Sequence, residues 1–392
     1  MSIRQYRADT LPDTPEAHFS DQISNRFLFL GEIVLTLIIN YVLILIFRSL
    51  GSLITTSEQD KLIFQWVTYA IATVLACNLG YWLNGRIFHS SEPKYVKVSG
   101  TDAFTTKSLS IGKQIEIFLI LLCVVYVPLD LLFYLIPGVL EYSAASLTGN
   151  STENYFFWDW TLMIPIAFVI HFCVAFREEY YFRHYINAQG QKELGQTTAW
   201  YYSVMTFSLG HFAYIFAPSS LGYSNFYPLL WGFSALLIGV ISGFVFSRTH
   251  TLWPVICAHW LNNVISACVL KRYLEGIPFT ENWVSPYGPI ILFGFICVFL
   301  FRKDIAAMMS QFIPFVRQYR AENSPTVQNS KVIGITEQKL QKKEKSNTTE
   351  DTHPQKSAQP QIRLISGKDV IIYLIVDLFL FIIIWLLNLF LF

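Results

Sequence analysis

Two adjacent carboxylates and two guanidiniums lie between Arg177 and Arg183, near the middle of the chain. Residues four apart share one face of a helix, so Glu179 and Arg183 are expected to form an ion pair. Glu178 points about 100° away from Glu179 and stays free. A free carboxylate in a low-dielectric cavity suits general-base work on a bound water. The alternative is a cluster that only marks the cytosolic end of a helix, with its charges reaching water.

Two further polar patterns follow along the chain. Phe207 and His211 lie one turn apart in an otherwise apolar run. His259 and Asn263 also lie four apart, and both can direct hydrogen-bond donors into one cavity, as stabilisation of an oxyanion requires. Each pattern has a structural alternative, because buried histidine and asparagine often serve only to hold membrane helices together.

The elements that must position these residues are membrane helices. The 392 residues are 53% hydrophobic and only 14% charged, with a mean hydropathy of +0.42, which is far more apolar than a soluble domain. The composition predicts an all-α, polytopic membrane protein with about eight to nine transmembrane helices of roughly 20 residues each. The expected spans are 27–50, 62–85, 114–139, 158–177, 197–218, 228–247, 250–270, 287–302 and 369–392.

Charge divides the chain and predicts its orientation. Lys and Arg collect between the second and third spans and are absent from 140–157 and 219–227, so the N-terminus is expected in the cytosol. Glu178 then falls near the cytosolic edge, whereas His211 and His259 lie deeper. The predicted regions are a cytosolic lead-in (1–26), N-terminal transmembrane helices (27–150), a core (151–302), a polar, partly disordered cytosolic linker (303–368) and a C-terminal transmembrane helix (369–392).

The three motifs together resemble a known family. Glu-Glu-x-x-x-Arg, Phe-x-x-x-His and His-x-x-x-Asn, in this order on successive apolar segments, resemble the CPBP family of intramembrane proteases. This family is also called the type II CAAX prenyl endopeptidase or Abi family. The similarity covers roughly 155–275, about a third of the chain. It implies an endopeptidase that hydrolyses a peptide bond in or near the bilayer.

The resemblance also implies a role for each motif position. In the family pattern, the first carboxylate and the histidine of the second motif hold and activate the attacking water. The second carboxylate supports them, the arginine orients both carboxylates, and the last histidine and asparagine stabilise the oxyanion. The phenylalanine is a packing residue. The candidate catalytic residues are therefore Glu178, Glu179, Arg183, His211, His259 and Asn263.

Two mechanisms are compatible with these residues, one that depends on a glutamate base and one that depends on zinc. Glu178, His211 and His259 could bind zinc, which would activate the water, yet His-Glu-x-x-His is absent. We therefore expect glutamate-dependent hydrolysis, with zinc as the alternative. The expected partners are membrane lipid and a membrane-associated protein or peptide. The family associations are prenylated CAAX proteins in eukaryotes and bacteriocin or peptide processing in bacteria. A net charge of +1 gives no reason to expect nucleic acid.

A second class of function is compatible with the same residues. In a non-proteolytic scaffold, immunity factor or transporter, they would hold helices together. A serine protease fits less well, because the surroundings of Ser242 lack the Gly-x-Ser-x-Gly spacing and indicate small residues for helix packing. His184 and His250 are expected at cytosolic edges.

Overall fold

The computed structural model describes residues 15–54, 58–87, 109–148, 154–216, 222–278, 281 and 287–322. All regular elements in these ranges are helical, which confirms the all-α class. Helices suit a membrane protein because each backbone N–H and C=O finds its partner within the same segment. The expected C-terminal span and most of the expected linker lie outside the described residues.

Eleven α-helices follow one another in the described part of the chain. The N-terminal helices are α1 (Pro15–Ile54), α2 (Glu58–Ile87), α3 (Ile111–Ile120), α4 (Val127–Tyr134) and α5 (Val139–Thr148). The later helices are α6 (Trp160–Glu179), α7 (Ala188–Glu193), α8 (Gln196–Phe212), α9 (Phe226–Thr249), α10 (Trp253–Leu274) and α11 (Tyr287–Glu322). A π-helical segment joins α3 to α4 (Leu121–Tyr126), and another joins α6 to α7 (Tyr180–Asn187).

Six helical stretches in the described ranges are long and apolar enough to cross a bilayer. They are Ile23–Leu50, Asp60–Leu83, Ile111–Tyr134, Trp160–Gln191, Phe226–Thr249 and Trp253–Leu274. The chain is thus an integral, multi-pass membrane protein. The expected fifth span is the shorter α8, with 17 residues. The expected eighth span is the start of α11, a 36-residue helix that continues into the region expected to begin the linker.

The helix that carries the fourth expected span continues beyond it. The span was expected to end at residue 177, whereas the helical stretch that contains it runs from Trp160 to Gln191. Glu178 therefore lies well inside this helical stretch. The charged residues lower the local hydropathy, yet Glu179 and Arg183 are 0% exposed because neighbouring helices cover them.

Glycines let α8 and α9 approach closely. A Cβ at Gly239 would lie 3.2 Å from Cδ1 of Phe207, and one at Gly243 would lie 3.0 Å from Cδ1 of Trp200. Small residues at such positions are typical of packed membrane helices. This close contact confirms the packing role predicted for the surroundings of Ser242.

A tight turn joins α9 to α10. His250 adopts a left-handed conformation with φ of 51°, and its N–H donates to the Phe246 carbonyl at 2.7 Å. This is a common way to end a helix. The helix α10 begins only three residues later, at Trp253, and packs against α6. The Trp260 indole donates to the Phe168 carbonyl of α6 at 2.8 Å.

Candidate active site

The six candidate residues lie on three helical stretches. They are Glu178 and Glu179 at the end of α6, Arg183 in the π-helical segment, His211 in the last turn of α8, and His259 and Asn263 in α10. Four of them form one chain of contacts. Arg183 contacts Glu179, Glu179 contacts His259, and His259 faces Glu178. The other two lie outside this chain.

Glu179 is the centre of the site. Its Oε1 lies 2.9 Å from Nδ1 of His259, and its Oε2 lies 3.1 Å from Nε of Arg183. A charge without exposure to solvent is tolerated only when it is paired. Each oxygen of Glu179 has an ion-pair partner, although Oε2 accepts no hydrogen bond from the described residues. The predicted ion pair between Glu179 and Arg183 is confirmed. The spacing of the motifs did not reveal that His259 joins it.

Ser242 of α9 holds Arg183 from another side. Nη2 and Nε of Arg183 donate to the Ser242 hydroxyl at 2.8 and 3.3 Å, and this hydroxyl donates to the Ile238 carbonyl at 2.7 Å. The guanidinium carbon also lies 4.6 Å from the centre of the Phe207 ring. Ser242 therefore does more than pack, because its hydroxyl fixes the arginine that pairs with Glu179.

Glu178 has a different environment from its neighbour. Its side chain is 14% exposed, and its Oε2 lies 3.8 Å from Nε2 of His259. Its Oε1 lies 3.6 Å from a guanidinium nitrogen of Arg177. Both distances exceed that of a hydrogen bond. One of the two adjacent carboxylates is thus fixed and buried, whereas the other remains accessible.

The two carboxylates flank the ring of His259. An ionised carboxylate only accepts hydrogen bonds, so Nδ1 of His259 carries the proton that it donates to Glu179. Nε2 faces the accessible carboxylate of Glu178. This arrangement fixes the orientation of the imidazole and leaves its second nitrogen available for chemistry.

The backbone fixes the ring of His211. Its Nδ1 lies 3.0 Å from the Phe207 carbonyl. Since a carbonyl accepts, Nδ1 donates, and Nε2 of the neutral ring keeps its lone pair. The Phe207 ring centre lies 4.7 Å from that of His211 and 6.4 Å from that of His259. The two histidines therefore border one phenylalanine, without a hydrogen bond between them.

Asn263 follows His259 by one turn on α10. It is partly buried and makes no hydrogen bond to the described residues. The adjacent Asn262, which the motif does not single out, is buried, and its Oδ1 has no hydrogen-bond partner among the described residues. Buried amide oxygens without partners are uncommon in proteins. Both amides of this turn therefore have free hydrogen-bonding capacity.

The π-helical segment is a feature that the sequence did not predict. It directly follows Glu179, and such segments are frequent at functional sites. Arg183 and Asn187 both reach α9 from it, and the Asn187 amide donates to Ser247 at 2.9 Å. His184, expected at a cytosolic edge, is 1% exposed, and its ring packs against Tyr180 at 4.8 Å.

Residues outside the motifs also border the site. Tyr126, at the end of the first π-helical segment, is fully buried with its ring centre 6.0 Å from that of His259. From α2, Trp66 lies under the Arg177 guanidinium at 5.7 Å. Such contacts between distant segments leave no signal in local spacing, so sequence reasoning missed them.

The zinc alternative requires three ligands around one point. No group of three His, Cys, Asp or Glu side chains in the described ranges is placed to bind a metal ion. The candidate set of Glu178, His211 and His259 is therefore not arranged as a metal site.

Comparison with known families supports the class of activity. Residues 159–265 match the family model described as type II CAAX prenyl endopeptidase Rce1-like. Over these residues the chain is similar to this family, and we refer to 159–265 as the Rce1-like domain. The Rce1-like domain includes all six candidate residues and confirms the resemblance that the motifs indicated. It supports proteolysis of a membrane-associated protein as the general activity. Neither a curated protein nor a solved structure matches the chain.

Proposed function

We propose that the protein is an intramembrane endopeptidase that uses Glu178 as its general base. The observation that carries this proposal is the contrast between the two adjacent carboxylates. Glu179 is held by Arg183 and by Nδ1 of His259. Glu178 is partly exposed and faces Nε2 of His259 across 3.8 Å. A carboxylate kept free beside a fixed imidazole suits activation of water.

Water activation begins the reaction. Glu178 accepts a proton from the attacking water, and Nε2 of His211 orients the water through its lone pair. The water oxygen forms a bond to the carbonyl carbon of the substrate, and the carbonyl electrons move onto oxygen to give a tetrahedral oxyanion. The carbon–nitrogen bond then breaks, and the proton held by Glu178 passes to the leaving amine. The products are a carboxylic acid and an amine.

The oxyanion requires hydrogen-bond donors that are in place before the reaction. His259, with both ring nitrogens protonated, donates from Nε2, and the side-chain amide of Asn263 donates one turn further along α10. Glu179 fixes the imidazole, and Arg183 fixes Glu179. The buried contacts of Glu179 therefore hold His259 in position to contact the substrate.

The proposed substrate is a membrane-associated protein or peptide of the CAAX prenyl type, as the family description suggests. Bacteriocin-like peptides are a second class of substrate that fits the same reaction. We further propose that the N-terminus and the 303–368 linker lie in the cytosol, as the distribution of Lys and Arg indicates.

A comparison of protein termini tests this function without a presumed substrate. Membranes from cells that lack the protein would be compared after supply of the wild type, Glu178→Gln or the control Glu141→Gln at matched expression. Glu141 is an exposed carboxylate of α5, outside the site. We expect new termini with the wild type and the control but not with Glu178→Gln. Identical termini in all three would contradict the proposal and favour the scaffold, immunity or transport alternative.

A further inference from the structure

Arg177 is a charged residue beside the site to which the catalytic proposal gives no role. It directly precedes Glu178, inside the long stretch Trp160–Gln191. Its side chain is 24% exposed. Ionisable residues at such positions are costly, and they usually mark a functional site.

Among the described residues, Arg177 makes no hydrogen bond through its guanidinium group. Its nearest anionic atom is Oε1 of Glu178, at 3.6 Å. Charge-assisted hydrogen bonds between such groups are about 2.7–2.9 Å long. Arg183 differs, because it is 0% exposed and donates two hydrogen bonds to Ser242. One arginine of the pair is therefore committed to the protein, and the other is not.

An aromatic contact holds Arg177 without occupying its hydrogen-bond donors. Its guanidinium carbon lies 5.7 Å from the centre of the Trp66 ring. A guanidinium over an aromatic face keeps its N–H groups available, because they lie in the plane of the group. Trp66 belongs to α2, outside the Rce1-like domain, so the N-terminal helices contribute to this placement.

Simple neutralisation of Glu178 does not account for this geometry. A direct hydrogen bond would neutralise the carboxylate more effectively, and it would also reduce its basicity. The fork of a guanidinium is instead suited to bind a carboxylate through two parallel N–H bonds. A partly exposed guanidinium beside the proposed base can reach an anionic group on a bound substrate.

We propose that Arg177 binds a carboxylate of the peptide substrate, located within a few residues of the scissile bond. This inference rests on the proposed protease function. The carboxylate has two sources, the C-terminal carboxylate of the substrate chain or an Asp or Glu side chain near its end. In either case Arg177 is a specificity residue, and it favours substrates with an anionic group on one side of the cleaved bond.

Three related peptides distinguish the two sources of the carboxylate. Each is an S-farnesylated peptide ending in Cys-aliphatic-aliphatic-X. The first has a free C-terminal carboxylate, the second a C-terminal carboxamide, and the third a carboxamide with Asp at the X position. Binding to the full-length protein in detergent would be measured with Glu178→Gln protein, so that no peptide is consumed, and kcat/KM would be measured with the wild type.

We expect the peptide acid to bind about tenfold or more tightly than its amide, as charge-assisted hydrogen bonds provide. Introducing Arg177→Gln into the same protein should reduce that ratio to about one and leave the affinity for the amide unchanged. Arg177→Lys should retain part of the preference. The matched control is Arg302→Gln, which changes an exposed arginine that also lies over an aromatic ring, that of Phe299.

The outcomes distinguish this inference from the protease function. Tight binding of the Asp-containing amide would show that a side-chain carboxylate is sufficient for binding to Arg177. Weak binding of this peptide, with tight binding of the acid, would assign the preference to the C-terminal carboxylate. Equal binding of acid and amide, or no binding of any peptide, overturns the inference. So does an Arg177→Gln variant that weakens acid and amide alike. An acid preference without any cleavage by the wild type would retain the carboxylate site and reject the protease.

Discussion

The carboxylate of Glu179 lies 2.9 Å from Nδ1 of His259, although 80 positions separate these residues in the chain. This contact joins the end of α6 to the middle of α10 and fixes the imidazole next to Glu178. Because Glu179 also pairs with Arg183, one buried residue organises two motifs. Its neighbour Glu178 is left accessible, which suggests a division between a supporting and a reacting carboxylate.

Replacement of the accessible carboxylate should remove activity without unfolding the protein. Glu178→Gln keeps the shape of the side chain but cannot accept the proton of water, so we expect kcat to fall by about 10²- to 10⁴-fold. Glu178 makes no hydrogen bond within the described structure, so the thermal midpoint in detergent should stay close to that of the wild type. Full cleavage by a folded Glu178→Gln protein would exclude Glu178 as the base.

Replacement of the buried carboxylate should reduce stability. Glu179→Ala leaves Arg183 charged and without its partner in a fully buried position, which costs about 3–5 kcal/mol. Detergent unfolding curves would measure this loss. A double-mutant cycle with Glu179→Gln, Arg183→Gln and both together should give a coupling of about 0.5–3 kcal/mol. Additive effects would show that the 3.1 Å contact contributes no pairwise stability.

Ser242 allows a test against serine-protease chemistry. In the proposed mechanism it only positions Arg183, so Ser242→Ala should lose about 1–3 kcal/mol of stability, because the guanidinium loses its hydroxyl acceptor. Measurable cleavage should remain at temperatures where the variant is folded. Complete loss of cleavage by folded Ser242→Ala, with Glu178→Gln still active, would assign the nucleophile to Ser242.

The sequence predicted the parts of this site that depend on local spacing. Glu179 and Arg183 lie four apart, so their pairing followed from helix geometry. The apolar composition likewise indicated a helical, multi-pass membrane protein, and the order of the three motifs indicated the family. These features require only short-range periodicity or composition, which a single sequence contains.

The length of the fourth helix and the outer contacts of the site required the structure. Hydropathy ended the fourth span at residue 177, because the charged residues Glu178, Glu179 and Arg183 follow. In the folded protein, Ser242 and Phe207 cover that guanidinium. The π-helical segment Tyr180–Asn187 has no distinctive sequence pattern, and the contact between Trp66 and Arg177 joins residues on separate helices.

The close contact between α8 and α9 predicts opposite effects for two glycines. A Cβ at Gly243 would lie 3.0 Å from Cδ1 of Trp200, whereas a Cβ at Gly210 would have nothing within 4 Å. Gly243→Ala should therefore destabilise the protein by about 1–3 kcal/mol through overpacking. Gly210→Ala should stabilise it by up to about 1 kcal/mol through helix propensity. Thermal unfolding in one detergent compares them directly, and equal effects would contradict the inferred packing.

The contact between Trp66 and Arg177 predicts that a helix outside the Rce1-like domain influences substrate preference. Trp66→Leu removes the aromatic face under the guanidinium but keeps an apolar side chain, so we expect the acid-to-amide ratio of kcat/KM to fall about two- to fivefold. The value for the amide should stay constant, because Trp66 acts through Arg177 alone. Trp82→Leu is the matched control, since Trp82 lies on the same helix and is 46% exposed. An unchanged ratio in Trp66→Leu would show that Arg177 holds its position without the tryptophan, and an equal loss for acid and amide would assign Trp66 to general packing.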